Sequence, residues 1–231
     1  MKRAALIEAV VEIILTSQCN HPLRVAVDGV DASGKTTFVS EIAQEIAKNG
    51  GSVIRVSVDD FHNPKAIRLK KGDLSPEGFY LASYDYQALI SQVLIPLGPN
   101  GNRQYRSACH DLVTDQPIDP PWQLAPKDAI VLIDGIFLLR PLLLPYWDLK
   151  IYLYVDFEES LKRGINRDAE ILGSKVVAAL RYQKRYIPGQ KIYFGEAHPL
   201  DKADILIDNC KLETPKLLKR PKGSLYQTSA H

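Results

Sequence analysis

Residues 29–37 read Gly-Val-Asp-Ala-Ser-Gly-Lys-Thr-Thr, and the first eight satisfy the pattern G-x-x-x-x-G-K-[ST] at every fixed position. In such a loop the glycines let the backbone turn its N–H groups onto phosphate oxygens. Gly29, Val30, Asp31, Ala32, Ser33, Gly34, Lys35, Thr36 and Thr37 are therefore the expected cradle of a nucleoside triphosphate. Lys35 is expected to reach the β- and γ-phosphates, and Thr36 to place its hydroxyl on Mg²⁺. A phosphoryl-transfer site also needs a metal carboxylate, a proton acceptor for the attacking hydroxyl and cations for the transferring charge. Asp134 ends an apolar run in the Walker B manner and is the expected metal partner, directly or through water. Asp59 and Asp60 stand in tandem at the end of another strand pattern, where one can cap a turn while the other takes the acceptor's proton. Arg163 and Arg167 are four apart, as are Arg181 and Arg185, so each pair shares a helix face that a lid could close over a triphosphate. The competing reading of such a run is a solvated helix surface.

The elements that would position these groups follow from periodicity. Residues 23–28 are β-rich, 36–48 carry a helical stripe through Phe38, Val39, Ile42 and Ile46, and Gly50-Gly51 ends that helix. Residues 52–58, 129–134, 149–155 and 203–207 read as further strands, the apolar ones being buried on both faces. Five strands interleaved with helices predict an α/β, doubly wound parallel sheet whose carboxyl ends share one rim. Residues 1–15 read as an amphipathic helix, because Glu8 and Glu12 interrupt what would otherwise resemble a signal peptide. Residues 65–80 read as a polar, turn-rich loop broken at Ser75-Pro76-Glu77-Gly78, followed by helical spacing over 84–94. Asn100-Gly101 marks a small hairpin over about 100–120, followed by a Pro-rich connector at 117–126. The expected organisation is one domain over 1–210, with a lid at about 158–190, and a flexible basic tail over 211–231.

With 231 residues, 45% of them hydrophobic, the chain can bury a full core. A formal charge of only +2 argues for small anionic ligands and against nucleic acid as the partner. Cys19, Cys109 and Cys210 are widely spaced and without C-x-x-C, which predicts a reduced, cytoplasmic chain without a zinc site, and no apolar run is long enough for a membrane span.

Over most of residues 23–209 these motifs together resemble the uridine kinase family of P-loop kinases, whose relatives act on pantothenate, ribulose phosphate and other small hydroxyl compounds. Asp59-Asp60-Phe61-His62 looks like the family's Asp-Ser-Phe-Tyr type motif, which implies that Asp59 is the base and that Asp60 and His62 lie toward the substrate. Tyr84-Asp85 stands where the family has an aspartate contacting sugar hydroxyls, implicating Asp85. The segment from Tyr105 to His110 is a loose equivalent of the hairpin that contacts the base, implicating Tyr105 and His110. Asp134-Gly135-Ile136 matches the sequence after the family's central strand, and Arg163-Gly-Ile-Asn-Arg167-Asp168 reproduces its lid motif. The stretch ending in Asp208-Asn209 is similar to the last strand, whose following loop contacts adenine, implicating Asn209. The resemblance implies an ATP- and Mg²⁺-dependent kinase acting on the 5′-hydroxyl of uridine or cytidine, and relatives suggest a homo-oligomer. A related kinase for another small alcohol, and a nucleotide-dependent switch protein, stay open as alternatives.

Overall fold

The computed structural model describes residues 2–17 and 19–221. Helix α1 (Arg3–Thr16) precedes β1 (Leu23–Gly29), α2 (Lys35–Lys48) and β2 (Val53–Ser57). An insertion follows, made of α3 (Lys65–Arg68), α4 (Pro76–Ala82), α5 (Tyr86–Leu89) and four two-residue strands: β3 (Gln104–Tyr105), β4 (His110–Asp111), β5 (Gln116–Pro117) and β6 (Gln123–Leu124). The chain then returns to the sheet with β7 (Ile130–Gly135) and β8 (Leu149–Tyr154). It closes through α6 (Phe157–Asp168), α7 (Lys175–Arg181), α8 (Ile187–Ala197), α9 (Pro199–Lys202), β9 (Ile205–Asp208) and β10 (Lys216–Lys219).

The main sheet has the order β10-β9-β8-β1-β7-β2, with five parallel strands and an antiparallel β10 at the edge. β1 and β7 are buried along their whole length, which is why β7 opens as a continuous apolar run and the Arg24 and Asp28 side chains within β1 are both hydrogen-bonded. One face packs against α1 and α2 through Leu6, Val10, Phe38 and Ile42, meeting Val25, Val27 and Ile151. The other face uses Ala26, Val131 and Ile133 against an aromatic-rich layer that includes Phe79, Tyr80, Phe137 and Tyr193. The chain leaves β1 for β2 on one side and reaches β8 on the other, so the crevice at the carboxyl ends of these strands is the switch point of the sheet. No helix among the described residues is long and apolar enough to cross a membrane.

Three sequence expectations change. Residues 65–80 are not one loop, because Ser75 caps α4 by accepting a hydrogen bond from Gly78 N at 3.0 Å and Pro76 occupies the first turn, so the apparent break is a helix start. The hairpin does not turn at Asn100-Gly101: β3 pairs with β6 and β4 with β5, drawing the Pro-rich connector into the ladder. Within the expected flexible tail over 211–231, Lys216–Lys219 form the sixth strand on β9, and residues 222–231 lie outside the described residues. Lysines at both ends of an edge strand discourage further pairing, and that same charge is what made the segment read as solvated.

Candidate active site

The crevice holds a cavity of about 330 Å³ lined by the phosphate loop from one side and by Asp59, Tyr84, Asp134, Arg163 and Arg167 from the others. Gly34 adopts φ +89°, a left-handed conformation that sets the first turn of α2 and aims its free N–H groups at the cavity. Lys35 Nζ donates to the carbonyls of Gly29 at 3.0 Å and Val30 at 2.8 Å, folded over its own loop. Burial lowers the Lys35 pKa, opposed by Asp31 and Asp28. Behind the loop, the buried Asp28 accepts from Gly29 N at 2.6 Å, from Leu139 N at 3.0 Å and from the Tyr193 hydroxyl, and burial pushes its pKa up to about 6. Asn209 is consumed by the loop as well: its Nδ2 donates to Ser33 O at 2.7 Å, and Arg3 donates to its Oδ1 at 3.2 Å.

The strand register brings the metal-type donors together. Asp134 pairs with Val27 on one side and Ser57 on the other, and Thr36 Oγ1 donates to Asp134 Oδ2 at 2.9 Å. This hydroxyl and carboxylate are hard oxygen donors side by side at a helix N-terminus, a set that fits Mg²⁺ held partly through water. Burial raises the Asp134 pKa, partly offset by the Thr36 hydrogen bond. The residue after it must be small, because a β-carbon on Gly135 would stand 2.1 Å from Val58 Cγ1. That close approach lets the 3-10 turn Val58–Phe61 bring Asp59 alongside Asp134.

Asp59 is exposed to the cavity, and one of its oxygens accepts from the buried Tyr84 hydroxyl at 3.0 Å. His62 Nδ1 donates to Asp59 O at 2.6 Å with its ring 4.5 Å from that of Tyr84, and burial lowers its pKa, opposed by Asp59. Asp60 has its pKa raised by burial and by Asp59, and its carbonyl accepts from Cys109 N at 2.9 Å, tying the turn to the hairpin.

The other expected acceptor residues are used structurally. Asp85 caps α5 by accepting from Ala88 N at 2.9 Å and does not line the cavity. Tyr105 donates to Gln123 Oε1 at 3.0 Å across the β3–β6 ladder. His110 is buried with Nε2 3.1 Å from Asp115 Oδ1, and the same carboxylate also accepts from Arg68.

α6 places Arg163 and Arg167 on the cavity, with Arg163 donating to the carbonyls of Asn209 and Cys210 and Arg167 to Asp168 and the Tyr182 hydroxyl. Arg181 and Arg185 do not line the cavity. Arg181 donates to Asp73 Oδ2 at 2.8 Å and Arg185 to Asp73 O at 2.7 Å, fastening the lid to the loop before α4. Sequence reasoning missed Gln190, whose side chain grips Asp31, and Tyr193, which carries the Asp28 contact; neither lies near the motif it supports. Tyr84 was visible only as a neighbour of Asp85. At the opposite rim, ligand atoms of Cys19, His21 and Asp148 lie within 4.8 Å of one another, with Asp148 paired to Arg24 at 2.9 Å.

No protein-family model matches the chain. A uridine kinase from Latilactobacillus sakei is 28% identical over 162 residues, 69% of this chain and 72% of its own length. A protein provisionally described as a uridine kinase from Bacillus stearothermophilus superposes with a TM-score of 0.69 at 23% identity, covering 87% of this chain and 96% of that one. A protein provisionally described as a fructose transport system kinase from Silicibacter sp. TM1040 superposes with a TM-score of 0.70 at 22% identity, covering 85% and 96%.

Proposed function

We propose that this chain, a uridine kinase-like P-loop kinase and so a phosphotransferase acting on an alcohol group, transfers the γ-phosphoryl group of ATP to the 5′-hydroxyl of a pyrimidine nucleoside. The observation that carries the reading is the convergence of Lys35, the Thr36–Asp134 pair and Asp59 on one cavity, which supplies cradle, metal donors and base together. Mg²⁺, when bound through Thr36 and Asp134, neutralises charge on the phosphates.

The remaining steps belong to the chain's own groups. Lys35 leaves the carbonyls of Gly29 and Val30 to meet the phosphate oxygens, and the N-terminus of α2 adds its free N–H groups. Asp59 accepts the proton of the attacking hydroxyl, while the Tyr84 hydroxyl fixes the carboxylate and leaves its second oxygen for the acceptor. Arg163 and Arg167 stabilise the charge that spreads over the transferring group. A nucleotide-dependent switch would leave Asp59 and Tyr84 without an acceptor to serve.

The test is ADP formation from MgATP in the presence of uridine, cytidine, other nucleosides, pantothenate, simple sugars and glycerate. Acceleration by uridine or cytidine alone supports the pyrimidine nucleoside as acceptor. Acceleration only by another alcohol reassigns the acceptor and retains the mechanism, and no acceleration by any of them removes the kinase reading.

A further inference from the structure

Asp31 has no task in the transfer chemistry described above, although its side chain lines the cavity with Asp59, Tyr84 and Arg167. Three hydrogen bonds fix it. Its N–H donates to Gln190 Oε1 at 2.9 Å, Gln190 Nε2 donates to Asp31 Oδ2 at 3.1 Å, and its carbonyl accepts from Ser160 Oγ at 2.7 Å. With the N–H turned to Gln190, Asp31 offers a phosphate no donor, and its carboxylate would repel one. Its other oxygen, Oδ1, accepts no hydrogen bond among the described residues. Asp134 already supplies the metal carboxylate and Asp59 the base, so a third carboxylate on this cavity is suited to a neutral donor group.

Resting on the reading of this site as a kinase for a hydroxyl acceptor, we propose that Asp31 is a specificity-determining residue: Oδ1 takes a hydrogen bond from a second, non-reacting hydroxyl of a polyhydroxylated acceptor while Asp59 takes the proton of the reacting one. The two carboxylates approach from different elements, the phosphate loop and the turn after β2, so one acceptor must present two hydroxyls to satisfy both. A monohydric alcohol leaves a rigidly held carboxylate without its partner, which is the arrangement that rejects an analogue lacking a hydroxyl most strongly. The carboxyl, raised by burial only to about 6, is ionised and acceptor-only at neutral pH.

The experiment compares wild type with Asp31→Asn and Asp31→Ser, using the best polyol acceptor from the panel above and its analogues lacking one hydroxyl each, with MgATP affinity followed separately by a fluorescent ATP analogue. The expected result is an acceptor KM raised about tenfold or more in both variants, MgATP affinity no weaker than wild type and tighter where the lost charge had repelled phosphate, and the loss of the KM penalty for one particular deoxy analogue. Two foldable substitutions guard against a misfolded variant, since each must retain the MgATP affinity to count. An unchanged acceptor KM, or a loss of MgATP binding at unchanged acceptor KM, overturns the assignment while leaving the kinase reading standing. A wild-type protein that no acceptor accelerates overturns both.

Discussion

The phosphate-loop side of the cavity and the insertion that faces it are built on opposite principles. The loop joins the fully buried β1 to α2 and is held by contacts from α1, α6, α8 and the segment after β9, through Arg3, Ser160, Gln190 and Asn209. The insertion is a set of short helices and two-residue ladders in which, among the described residues, buried Gln92 Oε1 and Arg106 Nε have no hydrogen-bond partner. The difference separates a loop braced from four distant elements from an insertion assembled out of short local ladders. A triphosphate presents the same oxygens in every kinase, so its cradle can be rigid. The insertion meets the turn carrying Asp59 through Cys109 N to Asp60 O, Asp85 N to Phe61 O and the Tyr84 hydroxyl to Asp59.

The sharpest break of this comparison is Asp59→Asn, which should lower kcat about 10³-fold while MgATP affinity stays close to wild type, because the base acts on the acceptor alone; single-turnover phosphoryl transfer reads this. Lys35→Ala should act on the other side, lowering transfer about 10²–10³-fold and weakening MgATP binding with it, as titration with a fluorescent ATP analogue would report. Normal transfer by this variant would remove the loop from the mechanism.

Behind the loop, folding raises Asp28 from its ordinary 3.8 to about 6 and therefore takes up a proton between those values. Its stabilising contribution is complete below 3.8 and is lost as the pH rises through about 6. Urea unfolding of wild type and Asp28→Asn at pH 4 and pH 7 should show their difference moving against wild type by on the order of 2 kcal/mol. Tyr84→Phe leaves Asp59 in place but unrestrained and should lower kcat roughly tenfold, with the Phe variant keeping its MgATP affinity. Smallest of all, Arg181→Ala removes one partly exposed ion pair between lid and insertion and should cost under about 1 kcal/mol in thermal unfolding.

Legibility divided along the same line. The loop from Gly29 to Thr36, the buried strands β1 and β7 and the carboxylate Asp134 were plain, because continuous burial and phosphate geometry both dictate residue types at fixed spacing. The acceptor side was not, since a ladder two residues long carries no period, and Asp85, Tyr105 and His110 each satisfy a neighbour rather than the cavity. Arg181 and Arg185 had the right spacing for a lid face but the wrong target, because helical spacing says which residues share a face and not what that face meets. Gln190 left no sign at all, being 159 residues from the Asp31 that it holds.

The Asn209 amide that supports Ser33 O joins positions 176 residues apart, and it follows directly on the last parallel strand. The loop's geometry therefore waits on nearly the whole sheet: until β9 docks beside β8, the Ser33 carbonyl lacks this support. Closing so long a loop costs chain entropy that only the docked sheet repays. The phosphate loop therefore reaches its final geometry only in a chain whose last parallel strand is in place.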